Sequence, residues 1–343
     1  MKKKRTQTEE IQNYILDQIE THPKDIVRIT VEKFNISRQA VHRHIYILVK
    51  EGAIIQSGKT RNIQYELKPI AESKFSTPLG PGVEEDILWR RQILPHLTGI
   101  KPNVLGICRY GFTEMVNNAI DHSEGTELDI SLTYKRNLIS FMIADDGVGI
   151  FNKIQKKLSL DDPRFSILEL AKGKFTTDDE KHSGQGVFYT SRMFDQFIIL
   201  SGGLSFLHTE ASNDWLFENQ KNTDIGTAVF LSISPNSNRS SEQVFNQYSV
   251  DGDYGFSQTR VPVFLAEYGD ENLISRSQAK RLLTRFDRFK KIILDFKKVD
   301  SIGQAFADEI FRVFQNDHPQ IILETLNTSE QVAKMIARVK NEK

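Results

Sequence analysis

Hydrophobic spacing changes regime several times along this chain. Ile11, Ile15, Leu16 and Ile19 recur at helical intervals within residues 8–20, which predicts an amphipathic first helix. A second short helix is expected over 26–34, with Ile26, Ile29 and Val31 turned inward. Asn35 and Ile36 read as a tight turn, and Ser37 has the hydroxyl of an N-cap. The helix it would open carries Ala40, Val41, Ile45, Leu48 and Val49 on one stripe, and Gly52 ends it. Alternation then replaces helical spacing over 53–56 and 62–67, predicting two strands joined by a tip over 57–61 that contains Gly and Lys.

Further along, residues 138–144 and 228–233 read as strands, and a helix is expected after Gly186 with Tyr189, Met193 and Phe194. Near the end, 292–296 and 319–323 read as buried strands, each followed by a helix, over 304–314 and 330–339. Strand–helix–strand–helix indicates an α/β sandwich. Two stretches lack periodicity. Residues 69–82 hold three prolines and two glycines, and 236–250 are rich in Ser and Asn. They divide the chain into units at 1–68, 83–235 and 251–343, with 69–82 and 236–250 as linkers.

Composition adds two constraints. The 343 residues are 39% hydrophobic and 26% charged with no net charge, which suits ordinary globular domains. Residues 1–69 nevertheless hold thirteen Lys and Arg against eight Asp and Glu, so an anionic partner is expected for that unit alone. Cys108 is the only cysteine, which rules out an intramolecular disulfide. No apolar run is long enough to span a bilayer, and the basic start runs into polar residues rather than the apolar core of a signal peptide. A cytoplasmic protein with no membrane partner is expected.

The central unit carries the chemistry. Glu114 and Asn118 are four residues apart, so on a helix they share one face. A carboxylate and an amide placed together suit a positioned water and a hydrated Mg²⁺. Asp145-Asp146-Gly147-Val148-Gly149 follows a strand-like run; a carboxylate at that strand end can accept from an adenine amino group, and the glycines let backbone approach the base. Ser183-Gly184-Gln185-Gly186 opens a helix, where exposed N–H groups and the positive dipole end suit phosphate. Gly226-Thr227 begins a further strand, with a hydroxyl that can also meet adenine.

In that order these four pieces resemble the GHKL superfamily of histidine kinases, gyrase, heat-shock chaperones and anti-sigma serine kinases, over about residues 84–235. The resemblance implies a Bergerat α/β sandwich binding ATP with Mg²⁺. It makes Glu114 the polarising base, Asn118 the Mg²⁺ ligand and Asp145 the adenine contact. Gly147 and Gly149 would shape the adenine floor, Gly184 and Gly186 would lie at the phosphates, and Thr227 would complete the base pocket. Residues 151–183 would form a lid. Phe175-Thr176-Thr177 looks most like the lid of anti-sigma kinases, with Thr177, Lys172, Lys174, Lys181 and His182 as candidates to reach the phosphates. His122 is expected in a supporting role beside the Asn box. No histidine-bearing helix pair precedes the pocket and no long transducer domain follows it, which leaves a protein Ser/Thr kinase, a slow ATPase switch or a nucleotide sensor.

The N-terminal pattern, including Ile36-Ser37-Arg38-Gln39-Ala40-Val41, resembles a winged helix-turn-helix. That implies DNA as a partner, met by Ser37, Arg38, Gln39, His42 and Arg43 on the third helix and by Lys59 and Arg61 on the wing. The C-terminal run from Leu294-Asp295-Phe296 to Gly303-Gln304-Ala305-Phe306 resembles a STAS-like domain, and Asp300-Ser301-Ile302-Gly303 matches the serine-phosphorylated turn of such proteins except at Ile302. Ser301 therefore falls at the phosphoacceptor place, and capping of the next helix is its plain structural role.

The whole reads as a multidomain α+β protein: winged helix, GHKL α/β sandwich, STAS-like α/β sandwich. The expected function is an ATP-binding transcriptional regulator, with a homodimer and a protein partner at the C-terminal unit both compatible. The alternative is an anti-sigma-type serine/threonine kinase that docks protein through its winged helix and phosphorylates Ser301.

Overall fold

Two separate hydrophobic cores organise the described residues. The computed structural model describes residues 7–59, 62–175, 184–209, 215–218, 226–250, 255–267 and 272–341. The smaller core belongs to the N-terminal unit. Helices α1 (Gln7–Gln18), α2 (Ile26–Phe34) and α3 (Arg38–Lys50) pack against an antiparallel pair, β1 (Ile54–Ser57) and β2 (Gln64–Leu67). Ile11, Ile15, Leu16 and Ile19 are all buried there, as the helical spacing predicted. Ser37 caps α3, its hydroxyl accepting from the Ala40 amide at 3.2 Å. Gly52 follows the helix with φ +71°, a conformation that favours glycine.

The expected linker at 69–82 instead supplies β3 (Ala71–Pro78), the outer strand of a seven-stranded sheet. Its inward positions are Ala71, Ser73, Phe75 and Thr77, too polar to show as a hydrophobic alternation. Pro78 is tolerated because β3 lies at the sheet edge. A short helix α4 (Glu85–Leu88), continued by a π-helical turn (Trp89–Ile93) and a 3-10 turn (Leu94–His96), leads to the long α5 (Pro102–His122). Then come β4 (Glu127–Lys135), β5 (Leu138–Asp145), α6 (Ile150–Leu158), α7 (Phe165–Lys172) and α8 (Gly186–Met193). The unit closes with β6 (Gln196–Ser201), β7 (Leu204–Thr209), β8 (Trp215–Glu218) and β9 (Thr227–Ile233). The strand order is β3-β4-β5-β9-β6-β7-β8, antiparallel throughout. Alternate residues of β4 and β5, such as Leu128, Ile130, Ile139 and Phe141, face α5 and the other helices. Layer packing is thus helix on sheet.

The second stretch read as a linker holds α9 (Ser241–Gln247), opened by a Ser240–Gln243 capping box. Beyond it, β10 (Gln258–Pro262), β11 (Lys291–Asp295) and β12 (Ile322–Leu326) form a parallel sheet in that order. It is flanked by α10 (Arg276–Leu283), α11 (Gln304–Asp308) with its continuation α12 (Gln315–Asp317), and α13 (Glu330–Asn341). The last strand starts three residues later than the spacing suggested. Ile321 is buried but belongs to the turn after His318-Pro319, where its amide bonds the His318 carbonyl at 3.1 Å.

Among the described residues the C-terminal unit shares its core with the central unit. Phe256, Leu282, Phe286 and Ile292 belong to the same hydrophobic cluster as Val104, Phe141 and Phe188 of the central unit. The N-terminal unit meets the sheet through polar contacts: Lys135 pairs with Glu20 at 3.1 Å and Arg136 donates to Asn13 at 2.6 Å. No described helix is long and apolar enough to cross a membrane.

Candidate nucleotide site

A cavity of about 250 Å³ opens between α5, the end of β5, α6 and the start of α8. Helix α5 begins with Pro102 at its first turn, where the missing N–H costs nothing. It buries Val104, Ile107, Cys108, Phe112, Met115 and Ala119 against the sheet. That stripe fixes the helix rotation and leaves Glu114 and Asn118 on its flank, where both line the cavity. The Asn118 Nδ2 atom is buried and has no hydrogen-bond partner among the described residues. Such a donor favours occupation of the cavity by an acceptor.

Asp145 ends β5 and faces Thr227 in the register of β9. Its carboxylate accepts from the Gly147 amide at 2.9 Å, and burial pushes its pKa above the ordinary carboxylate value despite that bond. Neighbouring Asp146 behaves oppositely. Hydrogen bonds from the Thr126 hydroxyl and from the amides of Thr126 and Glu127, at 2.6, 2.6 and 2.9 Å, hold it down to about 2. Asp146 pins the α5–β4 connection while Asp145 faces the cavity.

The glycines have separate reasons. Gly149 has φ +83°, and a Cβ there would come within 2.6 Å of the Ser201 hydroxyl. Gly147 lies outside the cavity lining; its close neighbour is the Ser123 carbonyl at the end of α5, where a Cβ would overlap. It therefore supports the floor rather than forming it, a correction to the expected role. Gly184, φ +66°, packs on the backbone of Phe175, whose amide bonds the Gly184 carbonyl at 3.0 Å. Gly186 starts α8 with the Glu114 carboxylate against its α-carbon. Thr227 lines the cavity, but its hydroxyl accepts from the Ile150 amide at 3.0 Å and so fastens the start of α6 as well.

Two basic candidates from the expected lid turn away. Lys172 is wholly buried and pairs with Glu169 at 2.6 Å. Lys174 donates to the Arg288 carbonyl at 2.6 Å and lies over the Phe289 ring, 4.8 Å from its centroid. Lys174, a candidate for the phosphates on lid closure, has these contacts with the C-terminal unit here. Thr177, Lys181, His182 and Ser183 lie outside the described residues.

Phe175, expected in the lid, is in the lining, and so is Lys153, which sequence reasoning missed. Lys153 anchors on the His122 carbonyl at 2.7 Å and on Glu124 at 2.9 Å, which holds α6 to the end of α5. Its only signal was a cation one turn into a helix after the glycine box. The remaining wall, including Met115, Ile143, Ile154 and Val229, is apolar and suits a flat aromatic base.

With an acidic strand end, a glycine-started helix and an Asn helix converging on one cavity, likeness to known proteins points the same way. Residues 108–234 match the family of histidine kinase-, DNA gyrase B- and HSP90-like ATPases. The chain contains a GHKL ATPase domain. The residues that line the cavity, from Glu114 to Val229, all fall inside the matched stretch. A second match, to a STAS-like domain of unknown function, covers residues 278–333. No curated protein matches the chain.

Outside the ATPase domain, α3 presents Arg38, Gln39, His42 and Arg43 to solvent, with Ser37 and Lys59 also exposed. Arg61 lies outside the described residues. Tyr46 and Ile47 on the same helix are 67% and 37% exposed, large apolar groups that the stripe argument passed over. Ser301 is exposed on the turn before α11, and Gly303, not Ser301, stands at the cap of that helix.

Proposed function

We propose that the protein is an ATP-responsive transcriptional regulator. In this reading the ATPase domain takes MgATP, the N-terminal unit is a winged helix that reads duplex DNA, and the STAS-like unit transmits between states or docks a protein partner. The observation that carries it is the convergence of Glu114, Asn118, Asp145 and Gly186 on one cavity. Ionised Asp145 accepts a hydrogen bond from the exocyclic amine of adenine. The Asn118 amide donates to a phosphate oxygen through Nδ2 and offers Oδ1 to a cation. Mg²⁺, when bound, neutralises phosphate charge and needs few protein ligands. Glu114 orients a water or hydroxyl for attack and holds its proton.

The exposed cations of α3 and Lys59 support phosphate and base contacts. Exposed Tyr46 and Ile47 on that face favour a macromolecular partner over bulk solvent. The test is the anisotropy of a labelled duplex DNA titrated with protein at several salt concentrations, with and without MgATP. Binding that weakens with salt and changes with MgATP supports the regulator. DNA binding indifferent to MgATP overturns it, because a ligand shifts a conformation only by binding two states unequally.

A second reading has its own observation. Ser301 is exposed and not used as a cap, so its hydroxyl is open to phosphorylation in the serine-kinase alternative. Incubation with γ-labelled ATP and Mg²⁺ separates the two. Label on protein that disappears in both Glu114→Ala and Ser301→Ala makes the chain a kinase acting on its own STAS-like unit, whereas free phosphate without label makes it an ATPase switch.

A further inference from the structure

The segment leaving α7 toward the glycine box is gripped by the C-terminal unit. Arg285, just beyond α10, donates to Glu169 at 2.7 Å, to the Gly173 carbonyl at 2.8 Å and to the Lys174 carbonyl. Its guanidinium also lies over the ring of Phe175, 5.2 Å from the centroid. Phe175 is a wall of the nucleotide cavity. From the same side, Lys172 reaches the carbonyls of Arg281 and Thr284 at 3.1 and 3.0 Å, and the Thr259 hydroxyl donates to the Lys172 carbonyl at 2.8 Å.

This arrangement is unusual in two physical respects. Glu169, Lys172 and Arg285 have side chains 2%, 0% and 9% exposed, so a carboxylate and two cations have been taken out of water together. Burying charge is costly unless every group is well satisfied, and here backbone carbonyls from both units complete the set. Arg285 itself has φ +66°, a left-handed conformation seldom taken by a residue with a long side chain. A planar guanidinium meets its carboxylate, two carbonyls and aromatic face through a rigid fork, a geometry that an ammonium does not fix.

We propose that Arg285 is a positioning residue for the nucleotide site: the STAS-like unit sets the place of Phe175 and of the chain at 172–175, so nucleotide occupancy and the seating of that unit are coupled. This rests on the ATP-binding reading. Coupling is reciprocal: a partner that shifts α10 changes nucleotide affinity, and nucleotide changes the hold on α10. The Phe175 amide bond to Gly184 carries the effect to the glycine box.

The test is a double-mutant cycle in the full chain, Arg285→Ala with Phe175→Ala, read as MgATP affinity. Arg285→Lys serves as a second variant that keeps the charge and loses the fork. Each Arg285 variant should weaken MgATP about tenfold in the wild-type background and by less than about twofold once Phe175 is Ala. Equal loss in both backgrounds, or no loss, overturns the proposal. Hydrogen exchange without nucleotide keeps the two readings apart. Arg285→Lys should speed exchange of the Phe175 amide while leaving α5 amides unchanged. Faster exchange in a protein that binds no MgATP would sink the ATP reading and retain the positioning role; unchanged exchange sinks the positioning role itself.

Discussion

The carboxylate of Glu114 rests against the α-carbon of Gly186, so closely that a methyl group on Gly186 would overlap Oε2. The two residues come from α5 and from the first position of α8, and their contact brings the Asn box and the glycine box into one site. Gly186→Ala should displace the carboxylate, since the end of a flexible side chain yields more readily than backbone. Alanine also suits a helix better than glycine. Turnover of ATP should therefore fall about a hundredfold while the urea midpoint barely moves, as steady-state phosphate release and chemical denaturation would establish.

Asp145 and Asp146 are adjacent and titrate in opposite directions. Asp146 has its folded pKa lowered to about 2 from 3.8. It adds stability that is fully present above the unfolded value and lost as pH falls from about 4 to 2. The gap in urea midpoint between wild type and Asp146→Asn should be largest at pH 6 and close on acidification through that range. Asp145 is raised, chiefly by burial. Its ionisation in the folded state works against stability as pH rises above 3.8, so Asp145→Asn should gain stability in the unliganded protein at pH 6 relative to pH 3.

Legibility of the sequence followed how much each segment relies on a single signal. The four boxes of the ATPase domain were readable because side-chain identity and spacing carry the chemistry: Glu114 and Asn118 share a helix face, and Asp145 ends a strand. The strand β3 was not readable. Its inward residues Ala71, Ser73 and Thr77 are small or polar, and Pro69, Pro78 and Pro81 announced a loop. Lys174 was assigned to phosphate because a cation near a glycine box is a sound local guess; its bond to the Arg288 carbonyl, 114 positions away, was not legible. The shared core of the central and C-terminal units was hidden for the same reason, since Phe188 against Phe256, centroids 4.5 Å apart, leaves no periodic trace.

Cys108 is fully buried in α5, and burial raises its thiol to about 12. Native protein should resist thiol-modifying reagent at pH 8 and react only as the core opens. The labelling rate in rising urea then reports unfolding of the ATPase domain; rapid labelling of native protein would contradict the packing of α5.

Ser37 should matter to the N-terminal unit alone. Losing the hydroxyl that accepts from the Ala40 amide should cost about 1 kcal/mol. Because that unit has a separate core, Ser37→Ala should lower its unfolding transition without moving the one reported by Cys108 labelling.

The central claim is that the cavity between α5, β5 and α8 holds ATP with Asp145 on the base. Calorimetric titration of MgATP into wild type and Asp145→Asn tests it most directly. The account predicts saturable one-site binding by wild type and a loss of about tenfold or more in the variant. Wild type that takes no MgATP, or a variant that binds as tightly, would contradict it.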